Sequence, residues 1–125
     1  MQKEHTMGFS TDLIRTVSIA GHGQTGKTTM IEQLLLAAGM IAKAETIESG
    51  KTVSDCTPEE IERKISIYAT LAHLPWKNTN INVWDTPGSS DFIGEVITAF
   101  RSSELVMMML HAKAGIQIET VKLWR

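Results

Sequence analysis

Gly21-His22-Gly23-Gln24-Thr25-Gly26-Lys27-Thr28 combines glycines, one ammonium and one hydroxyl at a spacing suited to holding polyphosphate. The pattern is Gly-x-x-x-x-Gly-Lys-Thr. Phosphate brings several negative charges into a small space, and glycines let backbone N–H groups turn inward around it. A following helix presents its positive N-terminal end to the same phosphates. Lys27 is placed to supply a mobile point charge to the β- and γ-phosphates. The Thr28 hydroxyl is placed to ligate Mg²⁺. The competing reading is an ordinary glycine-rich turn; its position between a strand and a helix argues against that.

A second element is Asp85-Thr86-Pro87-Gly88, which follows the apolar run Ile81 to Trp84. An acidic residue at a strand end can hold Mg²⁺ through a water. The Gly88 N–H could then sense a γ-phosphate and release it after hydrolysis. Alone, Asp-x-x-Gly is a common turn. In a chain that also carries the phosphate loop, the two agree across levels.

Regular elements must place these groups. Arg15 to Ala20 alternates polar and apolar residues and ends at glycines, so a strand is expected. Met30, Ile31, Leu34, Leu35 and Ala38 recur at helical spacing, with Gly39 as the expected C-terminal stop. Met40 to Lys64 has little periodicity, and a stretch of that kind is usually functional or mobile. Within it, Thr57-Pro58-Glu59-Glu60 carries a helix-start signature. Ile65 to Leu74 and Asn80 to Trp84 are expected as two strands joined in a hairpin. Asp91 is expected to cap a helix built on Phe92, Ile93, Val96, Ile97 and Phe100. Leu105 to Leu110 is apolar on both faces, as buried parallel strands are. Gln117 to Arg125 begins another helix. The expectation is an α/β fold, a mostly parallel sheet with one antiparallel hairpin and helices on both faces.

The chain has 125 residues and a formal net charge of −2. It therefore has no general basic field that would favour direct DNA binding. Cys56 is the only cysteine, so no internal disulfide forms, and a reducing cytoplasm is the simple reading. Met1 to Leu13 reads as a loose leader without an apolar signal core. The longest apolar run is too short to span a bilayer, so no membrane is expected.

These residues together resemble the N-terminal part of the GTPase domain of translation elongation factor G. Arg15 to His22 looks like that family's first strand and loop entry. Gly26-Lys27-Thr28-Thr29-Met30-Ile31-Glu32 is similar to its P-loop helix, and Asp85 to Val96 to its second switch. Ala112 to Gln117 looks like its turn after the fourth strand. Ser54-Asp55-Cys56-Thr57-Pro58-Glu59 resembles the first switch of the elongation factor G-like branch. The resemblance implies a partial Ras-like P-loop GTPase domain over residues 14–125. It would bind GTP or GDP with Mg²⁺, hydrolyse GTP and work on the ribosome. The nucleotide-binding residues it implies are Gly21, His22, Gly23, Gln24, Thr25, Gly26, Lys27, Thr28 and Thr29, with Asp85, Thr86, Pro87 and Gly88. The Mg²⁺ set it implies is Thr28, Ser66 and Asp85, with Ser66 standing where the family has threonine. Lys43, Lys51, Arg63 and Lys64 could meet RNA phosphates when the switch docks.

Three departures accompany the resemblance. Ser89 stands where the family usually has the histidine that positions the attacking water. A positioned acid–base group contributes about 10²–10⁴-fold, so slow hydrolysis, or an activating group from elsewhere, is expected. His22 and His111 are the alternative imidazoles. Gln24 replaces an aspartate of the phosphate loop, and no monovalent-cation site is expected. The guanine-reading Asn-Lys-x-Asp motif does not occur in the 125 residues. Poor base discrimination and an incomplete domain, with Leu105 to Leu110 at an open sheet edge, are therefore expected. An ATPase or small-molecule kinase, or a nucleotide-binding remnant without turnover, are the rival readings.

Overall fold

The computed structural model describes residues 9–125. The first part of the expected leader thus lies outside the described residues. Thr11–Leu13 forms a 3-10 turn ahead of the first strand.

Four strands build one sheet: β1 (Ile14–Gly21), β2 (Thr70–Trp76), β3 (Thr79–Asp85) and β4 (Leu105–Met109), in the order β2-β3-β1-β4. β1 runs parallel to β3, with Ile14 opposite Asn80 and Ile19 opposite Asp85. It also runs parallel to β4, with Val17 opposite Leu105 and Gly21 opposite Met109. β2 and β3 form the antiparallel hairpin, turning through Lys77 and Asn78.

Among the described residues four α-helices accompany the sheet: α1 (Lys27–Ala37), α2 (Pro58–Arg63), α3 (Ile93–Arg101) and α4 (Ile118–Trp124). α1 closes where the sequence expects. The Gly39 N–H donates to Leu36 and the Met40 N–H to Leu35, the paired bonds of a Schellman end. Ile31 and Leu35 of α1 pack with Ile19, Ala72, Leu74 and Val83 into the core cluster. Successive β1 residues point to opposite faces. Ser18 therefore faces away from α1, and its hydroxyl meets that of Ser103, just after α3, at 2.6 Å. Helices cover both faces because the chain leaves β1 toward the hairpin across one face and returns from β3 to β4 across the other.

Three element expectations are corrected. The second strand begins at Thr70, not Ile65. The Ile67 and Tyr68 amides donate to the Glu60 carboxylate and the Ala69 amide to that of Glu95, so none is left for a ladder. Ser89, not Asp91, does the capping: its hydroxyl accepts from the Asp91 N–H and starts a 3-10 turn, Ser90–Phe92, ahead of α3. The apolar run Leu105–Met109 is not buried on both faces. It is the open edge strand that the sequence also led us to expect, with Leu105 59% and Met107 41% exposed. Only Met109 packs against the core cluster.

Candidate functional site

The three parallel strands bring Gly21, Asp85 and Met109 to one edge of the sheet, where their following loops meet. Ligands of open α/β sheets bind in the crevice beyond such carboxyl ends. Here the crevice is a cavity of about 400 Å³, walled by both phosphate elements and by the segment around α2.

The loop after β1 is tight because Gly21 lies against the Met109 carbonyl with φ +149°, where a Cβ has no room. The Thr25 hydroxyl donates to the His22 carbonyl at 2.9 Å and closes the turn. Gln24 adopts φ 64°, a left-handed conformation uncommon for a side-chain-bearing residue. α1 then starts at Lys27, and its first two residues, Lys27 and Thr28, line the cavity. Lys27 is buried, and its ammonium donates to the Gly21 and His22 carbonyls at 3.0 and 2.8 Å. Burial pushes its pKa down from the ordinary lysine value, while Asp85 and Asp55 pull it back up.

The loop after β3 meets this one closely. A Cβ on Gly88 would lie 2.5 Å from the Gly23 nitrogen and 2.7 Å from the Lys27 Nζ. Only glycine lets the two phosphate elements touch. Thr86 serves the fold: its hydroxyl donates to the Ile19 carbonyl at 2.7 Å, fully buried. Pro87 is buried beside it.

Beneath the loop, the Thr28 hydroxyl donates to Asp85 at 2.7 Å and lies 3.4 Å from the Ser66 hydroxyl. Ser66 sits in the loop after α2, not in a strand. The three expected Mg²⁺ residues are thus together. Asp55, which the sequence reading did not single out as a ligand, joins them. It is 4% exposed, and neither of its carboxylate oxygens has a hydrogen-bond partner. The Ser54 hydroxyl and Asp85 Oδ1 are likewise unpartnered. Burial raises the pKa of both carboxyls, with Asp85 pushed up to about 6. Buried oxygens without partners are costly unless a cation or water meets them. No group of three or more His, Cys, Asp or Glu side chains converges among the described residues. A cation here would rest on carboxylate and hydroxyl oxygens, which suits Mg²⁺ and not zinc.

The remaining expected residues divide plainly. His22, Gly23, Gln24, Gly26, Lys27, Thr28, Ser66 and Gly88 line the cavity. Thr29 lies on an exposed flank of α1 outside that lining. Ser89 reaches the cavity wall, but its hydroxyl caps the next turn. His22 Nδ1 pairs with Glu119 of α4 at 2.9 Å. His111 takes the amides of Lys113 and Ala114 onto its ring and does not line the cavity. Asp55 escaped notice because it lies in an aperiodic stretch; a chemical signal, an acid just before a capped helix, was present.

Comparison with known proteins agrees with this geometry. Residues 12–125 match the family described as the Elongation factor Tu GTP binding domain. A mitochondrial ribosome-releasing factor 2 of Candida dubliniensis is 38% identical over 111 residues, covering 89% of this chain and 14% of the relative. The Saccharomyces cerevisiae protein of the same name is 36% identical over 113 residues, covering 90% and 14%. A crystal structure of a Thermus thermophilus protein superposes with a TM-score of 0.87 at 33% identity, covering 90% of this chain and 17% of that one. The bacterial selenocysteine-specific elongation factor EF-Sec superposes with a TM-score of 0.68 at 26% identity, covering 89% and 17%. The chain spans about one seventh of the curated relatives it matches. With the family matched over nearly all of its residues and the elongation factor G-like resemblance upheld, the chain belongs to the GTP-binding domain family of the translation elongation factors, in its elongation factor G-like branch.

Proposed function

We propose that this chain forms the phosphate- and Mg²⁺-holding part of a GTPase domain, in an elongation factor G-like protein that acts on the ribosome. The observation that carries the reading is the contact of Gly88 with Gly23 and Lys27 in the same cavity that Thr28, Ser66 and Asp55 line, with Asp85 bonded to Thr28. Lys27 would leave its two carbonyls for the β- and γ-phosphates. The α1 amides would meet the phosphate oxygens. Thr28 and Ser66 would hold Mg²⁺ directly, and Asp85 and Asp55 would hold its waters. When bound, Mg²⁺ neutralises charge that develops on the phosphates. Gly88 and Ser66 would couple the phosphate state to the loop after β3 and to the segment around α2.

Turnover by this site is expected to be slow. The Ser89 hydroxyl is occupied in capping, and it is not basic at neutral pH. That same observation favours a second reading, a nucleotide-binding switch with little hydrolysis. Phosphate release over many turnovers, measured with and without ribosomes, separates the two. Exposed, unpaired Cys56 fits a reducing compartment. The yeast relatives are named as mitochondrial proteins, so mitochondria stand beside the cytoplasm as the proposed location. No helix of the described residues is long and apolar enough to cross a membrane.

The direct test is Mg²⁺-dependent titration of a fluorescent GTP analogue. Lys27→Ala should weaken affinity by about tenfold to a hundredfold, since bonds to charged groups contribute roughly 1.5–3 kcal/mol each. Unchanged affinity in that variant would remove the basis of the proposal.

A further inference from the structure

Lys64 ends α2 in the left-handed region, with φ 56° and ψ 38°, and its N–H donates to the Glu60 carbonyl. Glycine is the residue this cap position favours, because a Cβ is strained there. Three non-glycine residues among those described have positive φ: Gln24, Lys64 and Lys77. Lys77 sits in the hairpin turn. The other two both line the phosphate cavity. Strained backbone that clusters at one site is a reason to look for function there.

The chemistry of the cavity supplies that reason. The buried carboxyl of Asp55 lines it, and that of Asp85 lies behind Thr28, against the one ammonium buried among the described residues, that of Lys27. Glu119 adds a carboxylate to the wall, though His22 already pairs with it. Ser89, also in the wall, brings no charge. The ion pairs of the described residues are His22–Glu119 and Lys43–Glu45, so no carboxylate holds the Lys64 ammonium. Lys64 precedes Ser66 by two residues, and Ser66 stands 3.4 Å from Thr28. Lys64 is exposed and lines the cavity beside Ile65 and Ser66, so its ammonium is free to reach over the side that carries the metal hydroxyls.

We propose that Lys64 is a second phosphate-binding cation of this site, supplied from the cap of α2, and that it selects a nucleoside triphosphate over a diphosphate. The inference rests on the nucleotide-binding reading above. It gives α2 a direct stake in the terminal phosphate: loss of that phosphate frees the lysine and removes what offsets its strained backbone.

Lys64→Gly and Lys64→Arg in the full 125-residue chain test this, without ribosomes, so that only nucleotide phosphate is present. Each is titrated with a non-hydrolysable GTP analogue and with GDP, both with Mg²⁺. Lys64→Gly relieves the left-handed backbone, so it should fold and melt at or above the wild-type Tm. It should bind the triphosphate analogue about tenfold more weakly, the order of one charge-assisted contact, and GDP as before. Lys64→Arg should keep the preference. Unchanged triphosphate affinity in Lys64→Gly, or equal losses for both nucleotides, would overturn the inference while leaving nucleotide binding intact. A folded wild-type chain that binds neither nucleotide would overturn both.

Discussion

Asp85 is the residue on which the site's charge balance turns. Its carboxyl is buried at the end of β3, accepts from Thr28, and is pushed by burial from the ordinary 3.8 up to about 6. The folded value stands above the unfolded one, so the unfolded chain releases this proton first. The stability that the neutral carboxyl contributes is complete below pH 3.8 and is lost as pH rises through about 6. At neutral pH the metal-free protein therefore carries a buried charge that the Thr28 bond and the Lys27 ammonium only partly offset. Asp85→Asn, in chelator, should flatten the pH–stability curve across that window. It should also stabilise the protein at pH above 7 by up to about 3 kcal/mol. The same variant should bind nucleotide with little response to Mg²⁺. Urea melts from acid to neutral pH check both statements, and an unaltered slope in Asp85→Asn would refute the charge account.

At the scale of elements, the stretch between α1 and β2 is held by carboxylates in place of a ladder. Glu32 of α1 is buried and accepts the amides of Glu45 and Val53. Glu60 accepts from the Thr57 amide and hydroxyl and from the amides of Ile67 and Tyr68. Burial pushes the Glu60 carboxyl up, but the Ile67, Tyr68 and Thr57 bonds outweigh it and hold its pKa below the usual value. Glu60→Ala should remove the carboxylate half of the α2 capping box and loosen Ser66, with a loss of about 2–4 kcal/mol for several bonds to one charged group. Trypsin should then cut faster after Arg63 and Lys64; equal cleavage rates would show that these bonds do not restrain the segment. This layer also explains what the sequence could and could not show. The capping box at Thr57 and Glu60 was legible because its partners are three residues apart. So was the phosphate loop, which is one strand, one turn and one helix in succession. Ile65-Ser66-Ile67-Tyr68 alternates as a strand does, and only a carboxylate seven residues back diverts its amides. Asp55 comes to line the same cavity as Thr28 through the fold alone, and no local spacing announces it.

For the whole molecule, the weak point is the open side of the sheet. β4 carries no charge, pairs only with β1, and shows Leu105 and Met107 to solvent on one face. Beyond it, Ile116, Ile118 and Trp124 around α4 are 69%, 70% and 81% exposed. An apolar edge strand with unpaired N–H and C=O groups is a template for another strand. α1, by contrast, closes its side of the sheet over a continuous core. The 125-residue polypeptide should therefore self-associate as its concentration rises, through β4 and not through the phosphate cavity at the strand ends. Leu105→Lys with Met107→Lys places charge on the edge at two exposed positions, so the core is untouched and the fold should survive. Sedimentation velocity over a wide concentration range should show the parent species growing and the double variant staying monomeric. Both should bind nucleotide alike, because neither residue lines the cavity. A parent chain that stays monomeric throughout would mean that the twist of the sheet or the side chains of α4 already shield this edge.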